Sequence, residues 1–436
     1  MLPLTNEHLT SALENVGIVD ITTATIRQIV ALSKDLERSS AEKFIHLELG
    51  NPGLMAEQIG IDAECRALNE GVANTYPDIS GIPEIKKAGS EFIKAFLDLD
   101  IPPHCVVSTV GSMQASYTLM TLLKLRIPGK DTLLFFNPGF PAQQHQAKMI
   151  GLKREGFDIY DYRGEKLKDK LDQILSKGNI TAMLYSNPNN PSWTNFTEEE
   201  LKIIGEAATK YDVIVLEDLA YLGMDFRTDC STPNQPPYIP SVGKYTDNYI
   251  LLLSASKIFS YAGQRIAIVG MSPEVFYRKY PVLEEFFEMP NFGECYIYGV
   301  LYTASSGVAH SAQRAMAEMM KKATDGELNF IKHTKDYAHR ASLMKKAFLD
   351  NGFHIVYEKD GDSDISDGFF FTVGYGDIDS ETLQKELLRY GISTISLPST
   401  GSTKKGVRVC VSMMKEEESF KMLNSRLKQF NDDHKG

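Results

Sequence analysis

An α/β fold is predicted for this chain: a large unit built on a mostly parallel sheet covered on both faces, then a smaller α+β unit. Two observations predict it. Between about residue 100 and residue 271, short apolar runs rich in β-formers alternate with helix-length amphipathic segments, the pattern that gives a parallel sheet flanked by helices. After Tyr296 the texture changes to long helical stretches followed by separated short strands, which reads as α+β.

The expected strands of the large unit are Cys105 to Val110, Thr132 to Phe136, Ile180 to Tyr185, Val213 to Leu216, Ile250 to Ser254 and Ile266 to Val269. They are nearly continuous in apolar residues, as strands buried on both faces are. Open α/β sheets bind ligands outside the carboxyl ends of their strands, so the residues just after each run are where chemistry is sought. Beyond Tyr296 a long helical stretch reaches about Lys322, and a second helix covers Tyr337 to Asn351. The small unit's strands are expected at His354 to Glu358, Gly368 to Gly374, Ile392 to Leu397 and Val407 to Val411, with a helix at Ser380 to Tyr390. The segments Asp360 to Asp367 and Ser399 to Lys405 read as loops. Three parts are expected: 1–48 packing on the small unit, 49–300 as the large unit and 301–436 as the small one.

Composition narrows the function classes. The 436 residues are 43% hydrophobic and 24% charged, ordinary values for a globular protein. Forty-six basic residues stand against 57 acidic ones, a net of −11 with no long block of one sign, so nucleic acid is a poor partner. Cys65, Cys105, Cys230, Cys295 and Cys410 form no close pair; neither a metal site nor a disulfide framework is expected, and a reducing cytoplasm fits. The N-terminus carries no basic patch followed by an apolar run, and no stretch approaches the roughly 18 apolar residues of a membrane span. No phosphate loop, His-Glu-x-x-His or Gly-x-Ser-x-Gly motif occurs.

The segment Ser254-Ala-Ser-Lys257-Ile-Phe-Ser-Tyr-Ala-Gly-Gln-Arg265 follows an expected strand and gathers hydroxyls, an amine and a guanidinium. A lysine desolvated at a strand end near other positive charge loses its proton readily and forms an imine with an aldehyde. Ser254, Ser256 and Arg265 are types that bind a phosphate dianion. Gly111-Ser112-Met113 opens an apolar helix, Tyr117 to Leu125, whose free N–H groups make a ready anion site. Read singly, the other segments have plain structural explanations. Asp218-Leu-Ala-Tyr221 is a turn aspartate and a core tyrosine; Asn187-Pro-Asn-Asn190-Pro-Ser-Trp193, Asn137-Pro-Gly-Phe140-Pro, Leu49-Gly50-Asn-Pro and Tyr76-Pro-Asp-Ile-Ser-Gly are turns. Arg408, between Val407 and Val409, reads equally as a surface strand residue.

Taken together and in this order, these segments resemble the class I and II aminotransferases, pyridoxal-phosphate (PLP) enzymes of fold type I, the aspartate-aminotransferase-like fold. The resemblance covers nearly the whole chain. It implies that Lys257 carries PLP as a Schiff base and then shuttles a proton at the substrate's α-carbon. Asp218 would keep the pyridine nitrogen protonated, and Tyr221 and Asn190 would bond the cofactor's phenolic oxygen. Phe140 would stack on the ring. Gly111, Ser112, Met113, Ser254, Ser256 and Arg265 would hold the phosphate, with Tyr76 reaching it from the second subunit of a homodimer. Arg408 would grip the substrate's α-carboxylate, and Gly50 and Asn190 would border the substrate. Trp193 stands where the family motif has glycine, which puts the backbone geometry there in question.

The implied reaction is a ping-pong transfer of an amino group from an L-amino acid to a 2-oxo acid. A C–S β-lyase, a decarboxylase and a cyclopropane amino acid synthase share the fold and the same lysine, aspartate and arginine. A non-catalytic effector-binding module is the reading from a different class; about 48 residues precede the Gly50 loop, too few for an added DNA-binding domain and linker. The segment Pro290 to Tyr298 contains no arginine or lysine, which disfavours a dicarboxylic donor.

Overall fold

The apolar runs of the large unit assemble into one seven-stranded sheet in the computed structural model, which describes residues 2–435. The strand order is Val106–Thr109, Ala267–Met271, Tyr249–Ser254, Ile214–Asp218, Ile180–Ser186, Thr132–Asn137, Lys153–Asp158. Ala267–Met271 runs antiparallel to both neighbours, and every other pairing in this sheet is parallel. The strands Ile180–Ser186 and Tyr249–Ser254 are buried at every residue, which is why they lack alternation.

One strand escaped the sequence reading. Lys153–Asp158 lies at the sheet edge, mostly exposed or half-buried, so its residues are polar and no apolar run marks it. The helix after the first strand spans Gly111–Leu125, starting well before the apolar stretch from Tyr117 that revealed it. Gly111 sits at φ 69, a left-handed value that glycine adopts without strain.

Strand register brings separate segments side by side. Ser186 pairs with Asp218 across one ladder, and Asp218 pairs with Leu252 across the next. The loop after Ile180–Ser186, the end of Ile214–Asp218 and the turn after Tyr249–Ser254 therefore emerge at one edge, although the chain separates them by tens of residues.

The continuous helix expected to reach Lys322 is interrupted. A π-helical turn, Cys295–Leu301, leads into Tyr302–Ala304, and the next helix starts only at His310. Ser306 and Gly307 between them take φ 55 and φ 123, which no helix accommodates. Beyond, Ile395–Ser396, Val407–Cys410, Phe370–Tyr375 and Phe353–Ile355 form an antiparallel sheet. The single strand expected from Ile392 to Leu397 is split: Ile392–Ser393 pairs instead with Ile45–His46. The strand expected over His354 to Glu358 ends at Ile355, and a short hairpin, Lys359–Asp360 with Ser363–Asp364, occupies part of the expected loop.

The N-terminal helices Asn6–Val16 and Ile26–Ser40 share an apolar core with Leu388 and Ile395. Among the described residues, no helix is long and apolar enough to cross a membrane.

Candidate active site

A cleft of about 990 Å³ opens at the carboxyl ends of the sheet strands. Ser254 caps the short helix Ala255–Ile258, its hydroxyl accepting from the Ser256 N–H at 3.2 Å. That turn sets Lys257, half-buried, at the cleft floor, where its amine donates to the Gly50 carbonyl and lies 5.2 Å from the Phe369 ring centre. Burial, with Arg408 and Arg265 pushing the same way and Cys410 opposing, brings the ammonium down to about 8. An amine so tuned exchanges its proton near neutral pH.

Asp218 is buried at the end of its strand. It accepts from the Gln143 amide at 2.8 Å and from the Ala220 N–H at 3.2 Å. No ion pair reaches it among the described residues. Burial therefore dominates and lifts its carboxyl to about 6, those two donors pulling the other way. Tyr221, on the turn that follows, lies 3.4 Å from the Asn190 amide nitrogen through its hydroxyl. Burial pushes this phenol far up. Asn190 is fixed by its own N–H, which donates to Ser186 Oγ at 3.0 Å, and its Oδ1 is buried without a partner.

On the opposite side, Arg265 takes φ 52 and is exposed, with Nη1 donating to the Ala262 carbonyl at 2.9 Å. A Cβ at Gly111 would lie 2.7 Å from Arg265 Nη2, so the glycine leaves room for the guanidinium at the start of the helix. Ser112 and Met113 in its first turn and Phe140 before the helix Pro141–Ile150 also line the cleft. Arg408 is buried on the small unit's strand; Nη2 donates to the Glu48 carbonyl, the guanidinium lies 4.7 Å from the Phe370 ring centre, and Nε has no partner.

The structure thus brings together Lys257, Asp218, Tyr221, Asn190, Ser254 and Ser256 with Ser112, Met113, Phe140, Arg265, Arg408 and Gly50 around one cavity. It does not bring Tyr76 there: that side chain is 93% exposed and outside the cleft. Gly111 is buried behind Arg265. Trp193 answers the question its position raised. It adopts φ 66, the left-handed conformation a glycine would take, and its indole is fully buried.

Sequence reasoning missed Gln143, the donor to Asp218, because an isolated glutamine on an amphipathic helix carries no signal. Phe370 carries no signal beyond that of a strand residue, yet it lines the cleft beside Arg408. Thr25, Ile26 and Arg27, at the start of an N-terminal helix, line the same cleft; only the fold places them there.

The donor set fits pyridoxal phosphate. A buried carboxylate lacking a cation suits a pyridinium N–H, the Tyr221 and Asn190 pair suits a phenolate oxygen, and Arg265 with Ser254, Ser256 and a helix start suits a phosphate dianion.

The sequence matches the family profile described as aminotransferase class I and II over residues 42–425. Among curated proteins it is similar to an asparagine–oxo-acid transaminase of Streptococcus mutans, 26% identical over 247 residues, covering 55% of this chain and 59% of that protein. It is similar also to an aspartate aminotransferase of Bacillus subtilis, 27% identical over 259 residues, covering 58% of this chain and 63% of that protein. The chain thus matches about three-fifths of these relatives' length. Among solved structures, a single mutant of Thermus thermophilus aspartate aminotransferase superposes with a TM-score of 0.75 at 17% identity, over 93% of this chain and 97% of that one. That likeness establishes the fold. With the family profile running from the strand before Gly50 to the last helix, and the same order of motifs converging on one cleft, the chain belongs to the aminotransferase class I and II family.

Proposed function

We propose that this protein is a PLP-dependent aminotransferase that transfers an amino group from an L-amino acid to a 2-oxo acid in a ping-pong cycle. The observation that carries the reading is the Lys257 amine, brought to about 8 and facing a cleft shared with Asp218, Tyr221, Asn190, Arg265 and Arg408. Pyridoxal phosphate, held there by Lys257, Asp218 and Arg265, supplies an electron sink for the α-carbon of an amino acid.

The remaining chemistry belongs to the chain's own residues. Arg408 orients the α-carboxylate of either substrate through its planar fork, so the amino acid and the 2-oxo acid bind in the same pose. Once freed, the Lys257 amine takes a proton from the α-carbon and later returns one, which a group titrating near 8 does at neutral pH. Asp218 would hold the ring nitrogen and keep its charge by that pairing, and Gln143 fixes the carboxylate in place at 2.8 Å. Tyr221 and Asn190, whose side chains meet at 3.4 Å, would hold the cofactor's phenolic oxygen by hydrogen bonds. Phe140, which lines the cleft, would stack on the ring face.

In this reading residues 49–300 form the cofactor-binding unit and residues 301–436, with 1–48, the small unit. The protein works as a homodimer in a reducing cytoplasm. Two features support the assembly: Tyr76 stands clear of its own cleft, and Tyr117, Tyr298 and Tyr302 are exposed on segments that pack together. All five cysteines are unpaired, in keeping with a reducing compartment.

The test is the visible spectrum of purified protein. The expected result is a cofactor band that one or more amino acids abolish and a 2-oxo acid restores, without release of ammonia. Release of ammonia and pyruvate from a cysteine conjugate, or absence of the band after incubation with pyridoxal phosphate, would contradict it.

A further inference from the structure

The loop after Ile180–Ser186 departs from the family motif at one place, and the departure is large. Trp193, the chain's single tryptophan, replaces a glycine yet keeps a left-handed backbone at φ 66, a conformation unfavourable for a residue with a Cβ. Burial offsets that cost. The indole is fully buried, with ring centres 5.5 Å from Tyr221 and 6.2 Å from Phe370, both edge-on.

The ring also needs a notch. A Cβ at Gly368 would fall 2.1 Å from Trp193 Cε2 and 2.2 Å from its Nε1, an overlap no side-chain adjustment relieves. Gly368 is therefore the counterpart of Trp193, although it lies in the small unit and far along the chain. Immediately beyond Gly368 come Phe369 and then Phe370, which opens the strand Phe370–Tyr375, each with its ring centre 5.4 Å from Tyr221. Phe369 faces the Lys257 amine at 5.2 Å and Phe370 the Arg408 guanidinium at 4.7 Å. Next to Trp193, the Asn195 N–H donates to both Asp360 oxygens at 3.1 Å. The loop bearing Asn190 is thus fastened to the small unit by a charged anchor and by a ring in a socket.

Resting on the function proposed above, we infer that Trp193 is a positioning residue: seated in the Gly368 notch, it fixes the phenol of Tyr221 and, through Phe370, the guanidinium of Arg408. Tyr221 is walled by three rings, and only Trp193 comes from the loop that also supplies its Asn190 partner. Removing the indole leaves the phenol with two rings, Phe369 and Phe370, and with the 3.4 Å contact to the Asn190 amide.

The test compares Trp193→Phe and Trp193→Gly with Gly368→Ala and the double variant Trp193→Gly/Gly368→Ala, each isolated with bound cofactor. The pH midpoint of the cofactor's visible band is read first, because Tyr221 sets it and a purely structural defect leaves it in place. The expected result is a displaced midpoint in Trp193→Gly, with kcat/KM lower by on the order of tenfold to a hundredfold, and partial recovery of both in Trp193→Phe. Gly368→Ala alone should lose cofactor or fold, whereas in the Trp193→Gly background it should add no further loss. Should Trp193→Gly fail to fold, the Trp193→Phe midpoint and the emission of Trp193 in apoprotein titrated with pyridoxal phosphate still decide the matter. An unmoved midpoint in Trp193→Phe and in every Trp193→Gly sample that folds, or an emission unchanged on cofactor binding, overturns the inference. A wild-type protein with no visible band overturns the proposed function instead.

Discussion

At the scale of the residue, Asp218 shows how the fold prepares a charge. Its carboxyl is raised from its ordinary range to about 6 by burial, so an ionised Asp218 destabilises the cofactor-free fold. Because the folded value exceeds the unfolded one, this group's contribution to stability is complete below about pH 4 and is lost as pH rises through about 6. Apoprotein of Asp218→Asn should therefore gain on wild type as pH rises across that window, by roughly 3 kcal/mol at most. Denaturant unfolding at pH 4, 5 and 6 measures it, and parallel curves for the two proteins would count against the burial account. Arg408→Lys should leave the visible band intact while lowering kcat/KM on the order of tenfold to a hundredfold, since an ammonium cannot make two parallel bonds to a carboxylate. Steady-state kinetics with the preferred amino acid checks this; an unaltered kcat/KM would remove Arg408 from the substrate site. Lys257 was legible in the sequence because amine, hydroxyls and guanidinium crowd into one turn after a strand. Gln143 was not, because its partner is remote in sequence. The outcome at Trp193 was legible only in part: the missing glycine was visible, but not the Gly368 notch that makes a left-handed tryptophan tolerable.

At the scale of the element, the strands buried on both faces declared themselves through unbroken apolar runs, and their ladders place Ser186, Asp218 and Leu252 in register. The edge strand Lys153–Asp158 did not, because an edge is stabilised by one neighbour and its exposed side chains are polar. Short strands of the small unit were found, but their ends were set by pairing choices, as at Ile392–Ser393 and Ile395–Ser396, that no local pattern encodes. The hairpin Lys359–Asp360 with Ser363–Asp364 carries the carboxylate that accepts from the Asn195 N–H. Asp360 accepts from Arg163 at 2.8 Å and from Arg227 at 2.6 Å, and its side chain is buried. Asp360→Ala takes one partner from each guanidinium, Arg163 keeping Glu200 and Arg227 keeping Asp225, and the loss of such charged hydrogen bonds costs about 1.5–3 kcal/mol. The Asn195 N–H loses its acceptor as well. Chemical denaturation should show the loss, and a change below about 1 kcal/mol would mean the hairpin is not an anchor.

At the scale of the whole molecule, the fold class could be read from the sequence because alternating strands and helices admit few topologies. The candidate cleft could be sought in the sequence because ligands in such sheets collect at strand ends. Tyr76 is 93% exposed on its own chain, and its proposed phosphate partner lies in another copy. Light scattering of the purified protein should give twice the chain mass, and Tyr76→Ala should weaken cofactor retention without dissociating the pair. A monomer with full activity would contradict shared sites.

Every role assigned to the cleft depends on the Lys257 amine holding the cofactor. Treating the cofactor-loaded protein with borohydride, digesting it and sequencing the peptides by mass spectrometry tests this directly. A reduced pyridoxyl group fixed on Lys257 is the expected result. An unmodified Lys257 beside a label on another lysine, or no label at all, would contradict it.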